Sequence, residues 1–272
     1  VSDPTTLIMA AALLAVIGAF AGVLAGLLGV GGGIVLVPAF YYTFNALGYG
    51  SEQLMQVCLA TSLATIIVTS ARSVLSHHRK GAVEWPILRQ MALGIVIGAI
   101  IGVFVASQLR TRELQLIFGG LATFIGLYMA FGRNDWQIGD TMPKGPVGFI
   151  FSPLIGFLSV LMGIGGGSFG VPTMTLFGVP IHRAVATAAG FGFIIAVPSV
   201  IGFMFVDMPD APPYSIGAVN IPAFLVVIAM TTLTAPLGAK LAHMTDPKRL
   251  KRIFGGFLIL VALNMLRKAL GA

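Results

Sequence analysis

The chain has 272 residues, of which 57% are hydrophobic and only 9% charged, and its mean hydropathy is +0.98. A soluble domain carries about a quarter charged residues, so this composition excludes a soluble enzyme and requires a polytopic membrane protein. The net charge of +7 lies mostly in short loops, where basic residues set topology; it does not point to nucleic acid, and the single cysteine, Cys58, excludes an internal disulfide.

The N-terminal residues carry no positive n-region, and the apolar run behind them extends uncharged from Leu7 to Phe44, unlike a cleaved signal peptide. Residues 7–28 read as a first helix with Gly18, Gly22 and Gly26 on one small-residue packing face. The helix then breaks at Gly29-Val-Gly31-Gly32-Gly33, and a segment of residues 34–44 follows. That segment is too short to cross a bilayer, which takes about 20 residues. Residues 53–76 form the next apolar segment, followed by the basic loop His77-His78-Arg79-Lys80. Residues 86–107 carry Gly94, Gly98 and Gly102 at packing spacing, a short turn holds Arg110, Arg112 and Glu113, and residues 114–131 close the first half. Residues 132–145 are a polar linker.

The second half, residues 146–272, repeats this order. Residues 146–163 lead to a second break, Gly163-Ile-Gly165-Gly166-Gly167, then come segments at 168–178, 183–206, 218–242 and 249–268. Gly29, Gly31, Gly32 and Gly33 map onto Gly163, Gly165, Gly166 and Gly167 at a constant offset of 134, as Pro38 does onto Pro172. Gly81-Ala-Val83 matches Gly217-Ala-Val219, Phe118-Gly-Gly120 matches Phe254-Gly-Gly256, and Ala60-Thr61 matches Ala186-Thr187. Residues 1–131 and 146–272 are therefore two copies of one membrane unit. The basic loop at 77–80 reads as cytoplasmic, and its counterpart at 207–215, with two Asp and no basic residue, as external. Arg110 and Arg112 oppose this assignment; the other loops fit it. The expected fold is an all-α polytopic membrane protein of two inverted-topology repeats. Each repeat is a glycine-broken helical hairpin plus three transmembrane helices, with both termini outside.

Broken helices at matching positions of two halves are the best sequence pointer to a transporter site. Consecutive glycines let N–H groups converge on an anion, and the short helix that follows adds the positive end of its dipole. Gly31, Gly32 and Gly33 and their mates Gly165, Gly166 and Gly167 are thus candidate binding residues. The alternative is that these glycines only permit close helix crossings. No Lys-Ser/Thr follows them, so they are not a nucleotide P-loop. All nine acids fall in loops or at segment ends, which leaves no carboxylate relay. Arg72 lies about a turn inside its segment and either snorkels to the interface or holds an oxyanion in its planar fork. Thr61, Ser62 and Thr65 recur at helical spacing, and Thr187 matches Thr61; these hydroxyls either bond between helices or line an anion path. No metal-ligand cluster, cofactor motif or Ser–His–Asp arrangement is present, so an enzyme is not expected. The expected partners are a small anionic substrate and the lipid bilayer, with a homodimer left open by the glycine faces.

The paired breaks followed by Val-Pro, Ala-Thr after each, and His78-Arg-Lys-Gly81-Ala-Val83 resemble the TauE/SafE family of sulfite and organosulfonate exporters. The resemblance covers essentially the whole chain. It implies a bacterial inner-membrane permease that exports small sulfur oxyanions, such as sulfite or sulfoacetate, with the two breaks as its core. Arg72 lies outside the motifs that carry the resemblance. A permease for another small anion such as a carboxylate, or a membrane scaffold without transport, are the competing readings.

Overall fold

The computed structural model describes residues 4–28, 32–132, 137–143, 146–244 and 247–271. Ten helices follow in order: α1 (Pro4–Leu28), α2 (Gly33–Ala46), α3 (Leu54–Arg79), α4 (Trp85–Gln108), α5 (Thr111–Phe131), α6 (Pro146–Leu161), α7 (Gly167–Leu176), α8 (Ile181–Met204), α9 (Ile221–Met244) and α10 (Pro247–Leu270). Among the described residues seven helices are long and apolar enough to cross a membrane. Six are the full crossings read from the sequence. The seventh is α1, whose 25 residues exceed the 16 of its counterpart α6. The chain is a polytopic all-α membrane protein. Large apolar side chains such as Val16, Phe104, Phe124, Leu233 and Leu260 stand exposed on the peripheral helices. In water such a surface would aggregate; in a bilayer it is the solvent-matched face.

The helices pair across the two halves. α1 lies beside α9, α6 beside α4, α5 beside α10 and α3 beside α8. Glycine decides how close each pair comes. Gly18 faces Val227 and Met230, and Gly22 faces Thr231 and Thr234, so α1 and α9 run parallel. Gly94 faces Ser152, Gly98 faces the Pro153 backbone and Gly102 faces Val160, so α4 and α6 also run parallel. Gly119 meets Ala262 and Leu266 while Gly126 meets Gly255 and Ile259, so α5 and α10 run antiparallel. The glycine faces foreseen from the sequence are thereby used inside the chain; the surroundings of Gly26 lie outside the described residues. Without a hydrophobic drive between helices in lipid, such backbone approach and its dispersion contacts supply the packing energy.

α3 and α8 form the centre, and most of their side chains are buried. They cross where Ile66 and Ser70 meet Gly192. Phe40, Phe191, Leu59, Leu63 and Ile66 are fully buried around that crossing. The short helices α2 and α7 end alike. Tyr49 N–H bonds to Phe44 O at 2.9 Å, and Val179 N–H bonds to Met174 O at 3.1 Å, closing each C-terminus.

Three details differ from the sequence reading. α3 continues to Arg79, because His77, His78 and Arg79 favour the negative end of its dipole. Part of the loop between α8 and α9 forms a short ribbon, β1 (Ser215–Ile216) against β2 (Val219–Asn220), which delays α9 to Ile221. The described part of the linker docks on α7, with Ile138 N–H bonded to Leu176 O at 2.7 Å.

Candidate functional site

The two helix breaks meet in the middle of the molecule. A Cβ placed on Gly33 would lie 2.8 Å from Gly163 O and 3.1 Å from Ile164 Cα. One placed on Gly163 would lie 2.7 Å from Val37 Cγ2 and 3.0 Å from Leu59 Cα. The start of α2 is therefore pressed against the second break, and α3 packs on both. Gly166 abuts Phe191 of α8, which also covers Gly170. Left-handed φ values of +70° at Gly32 and +60° at Gly163 make the reversals that a side chain would resist. Gly31 lies outside the described residues. Gly32, Gly33, Gly165, Gly166 and Gly167 are all buried at this junction.

Hydrogen bonding at the second break is incomplete. Ile164 N–H reaches Ser159 O at 2.9 Å, and Gly170 N–H reaches Gly166 O at 2.7 Å. Between them, the N–H groups of Gly165, Gly166 and Gly167 make no backbone hydrogen bond to a described residue. The Oγ of Ser168, on the first turn of α7, is also buried without a partner, as is that of Ser159 before the break. An unpaired buried donor costs about 1–3 kcal/mol, so such a cluster is unusual in an interior. It sits at the positive end of α7, which attracts negative charge. No ionisable Asp, Glu, Lys, Arg or His is buried among the described residues. Among the described residues, the polarity at the junction comes from amides, hydroxyls and helix dipoles.

The threonines and serines of α3 are placed around this junction, and their bonds are defined. Ser62 Oγ donates to Gly163 O at 2.7 Å, tying α3 to the second break. Thr65 Oγ1 donates to Ser62 O at 2.7 Å, within its own helix. Thr61 Oγ1 accepts from Asn220 N–H at 3.0 Å, and its mate Thr187 Oγ1 accepts from Glu84 N–H at 2.9 Å. Each threonine thereby holds the start of the fourth helix of the opposite half, α9 or α4. Arg72 is exposed near the end of α3 and does not join the breaks.

Sequence reasoning passed over Ser168, Ser159 and Asn220, and did not pair Glu84 with Arg183. Asn220 caps α9 by accepting from Ala223 N–H at 3.0 Å. Glu84 and Arg183 form an ion pair joining α8 to the start of α4. The signal for both starts was present: Glu84-Trp-Pro86 and Asn220-Ile-Pro222 each place a polar residue two before proline. On the same face His78 Nδ1 accepts from Trp85 Nε1 at 3.1 Å. The described residues contain no His, Cys, Asp and Glu grouping that could hold a metal.

The family model described as Sulfite exporter TauE/SafE matches residues 14–265. A probable membrane transporter protein of Haemophilus influenzae is 34% identical over 256 residues, covering 93% of this chain and 96% of that protein. A probable membrane transporter protein of Methanocaldococcus jannaschii is 27% identical over 257 residues, 93% of this chain and 94% of that one. Another from Bacillus subtilis is 30% identical over 213 residues, 71% of this chain and 77% of its own length. No solved structure matches the chain. With seven spans, paired breaks and a family match over nearly its whole length, the chain is a multi-pass membrane protein that belongs to the TauE/SafE sulfite exporter family.

Proposed function

We propose that this membrane permease moves small sulfur oxyanions, sulfite or short organosulfonates such as sulfoacetate, out of the cell through the junction of the two breaks. The observation that carries the reading is the buried, unpartnered Ser168 Oγ on the first turn of α7, beside N–H groups at Gly165–Gly167 that make no backbone bond to a described residue. An oxyanion supplies the acceptors those donors lack. It would be held without a fixed cation, which keeps binding weak enough for release. Gly32 and Gly33 contribute the second wall; Ser62 ties α3 to the second break, Thr65 bonds within α3, and Thr61 and Thr187 hold the starts of α9 and α4. Arg72, exposed on α3, is not part of this site.

We also propose that the two halves are inverted-topology repeats. Supporting this, equivalent helices α5 and α10 cross antiparallel, and the parallel pair α1–α9 maps onto the parallel pair α6–α4 when the halves are exchanged. The Thr61–Asn220 and Thr187–Glu84 bonds exchange in the same way. Such a two-fold fits alternating access around a midplane site. The reading assigns the protein no catalytic step. A monoanion leaving a negative interior gains about 2.3 kcal/mol per 100 mV, so export needs no proton relay.

The test is Ser168→Ala in proteoliposomes. Loss of one hydrogen bond to an anion, about 1.5–3 kcal/mol, should raise the half-saturating sulfite concentration about tenfold or more. The thermal midpoint should stay level or rise, because the hydroxyl has no protein partner to lose. Unchanged saturation in the folded variant would remove Ser168 from the site. Acetate competing as well as sulfite would favour a carboxylate permease instead.

A further inference from the structure

A second feature lies on the membrane face, away from the breaks. α1, α2 and α10 enclose an apolar groove of about 300 Å³. Val16 and Phe20 of α1, Val35 and Ala39 of α2 and Phe257 of α10 line it, and Tyr42 stands at one end. Phe20 and Phe257 meet edge to face at 6.0 Å at the opposite end. The lining offers almost no hydrogen-bonding atoms, so a peptide backbone would lie there unpaired, whereas a hydrocarbon chain would not.

Polarity begins where the groove ends. Tyr42 Oη accepts from Asn264 Nδ2 at 2.9 Å. Lys268 Nζ lies 4.7 Å from the Tyr42 ring centroid and 5.6 Å from that of Tyr41. Arg267 is its neighbour, and both basic residues are exposed. Among the described residues no carboxylate pairs with either of them. The tyrosine rings hold the ammonium by cation–π contact at the mouth of the groove and leave its N–H donors free. An apolar slot, an aromatic junction and two unneutralised cations match, in order, an acyl chain, an ester region and a phosphate.

We propose that this is a binding site for one anionic glycerophospholipid, its acyl chain along α1, α2 and α10 and its phosphate on Lys268 and Arg267. Because α2 carries the first break, a bound lipid would pack directly against the hairpin that builds the transport junction.

The experiment is native mass spectrometry of the intact protein delipidated and then offered equal phosphatidylglycerol and phosphatidylcholine. The native chain should retain phosphatidylglycerol in preference. Lys268→Ala combined with Arg267→Ala should lower that preference about tenfold or more, while Lys268→Arg should keep it. Ala39→Phe, which fills the groove, should lower retention of both lipids. All variants can be checked for a native thermal midpoint, since the basic pair is exposed. Equal retention of the two lipids by the native chain, or an unchanged preference in the double variant, would overturn the site. Neither readout depends on transport, so a failed lipid site and a failed permease reading remain distinguishable.

Discussion

Thr61 and Thr187 show how single hydroxyls hold this molecule together. Both are fully buried, and each accepts one backbone N–H from the other half. Replacing either by Val keeps the shape and leaves Asn220 or Glu84 N–H unpaired, at a cost of about 1–3 kcal/mol. Thr187→Val should therefore lower the thermal midpoint measurably, and Thr187→Ser should restore it; an unchanged midpoint in Thr187→Val would refute the strut. The neighbouring Glu84–Arg183 pair is partly exposed, and surface ion pairs contribute at most about 1 kcal/mol, so the threonine is the stronger tie. At this scale the sequence was only partly legible. The repeat placed Thr187 opposite Thr61 but could not say what each hydroxyl touches, because the partners are 159 and 103 residues away. Arg72 was ambiguous for a related reason. Thr65, Thr69 and Arg72 share one helical stripe, yet α3 passes from buried to exposed along it.

Between helices, neighbouring glycines of one motif have different duties. A Cβ on Gly119 would lie 2.5 Å from Leu266 Cγ, and one on Gly255 2.7 Å from Gly126 O. Gly120 and Gly256, the next residues, have nothing within 4 Å. Gly119→Ala and Gly255→Ala should each destabilise by about 1–3 kcal/mol, more at Gly255, where the obstacle is backbone rather than a side-chain tip. Gly120→Ala and Gly256→Ala should leave unfolding in mild denaturant unchanged. Equal losses at all four sites would show that the α5–α10 contact is not glycine-limited. All ten helices could be read from apolar runs and glycine or proline punctuation, with ends shifted by a few residues. Their partners could not. A small-residue face says that another helix comes close, not which one, and here α1 and α6 each pack on the other half.

Across the whole molecule, the paired breaks were the feature most legible in the sequence, since the same spacing of four glycines occurs twice. What could not be read was that Gly33 and Gly163 touch, and that Ser168 adds an unpaired hydroxyl beside amides that make no backbone bond to a described residue. Those facts depend on how the other helices close around α3 and α8. On the proposed reading the donors offered to an anion are backbone amides and a hydroxyl, which need no desolvated cation, and among the described residues no charged side chain is buried. The most direct measurement is flux in proteoliposomes with the potential clamped by a potassium gradient, comparing sulfite, sulfoacetate, taurine, sulfate and acetate. The account predicts that sulfite or sulfoacetate moves, that its rate follows the potential without a pH gradient, and that acetate lags. No movement of any of these anions, or movement only with a pH gradient, would contradict it.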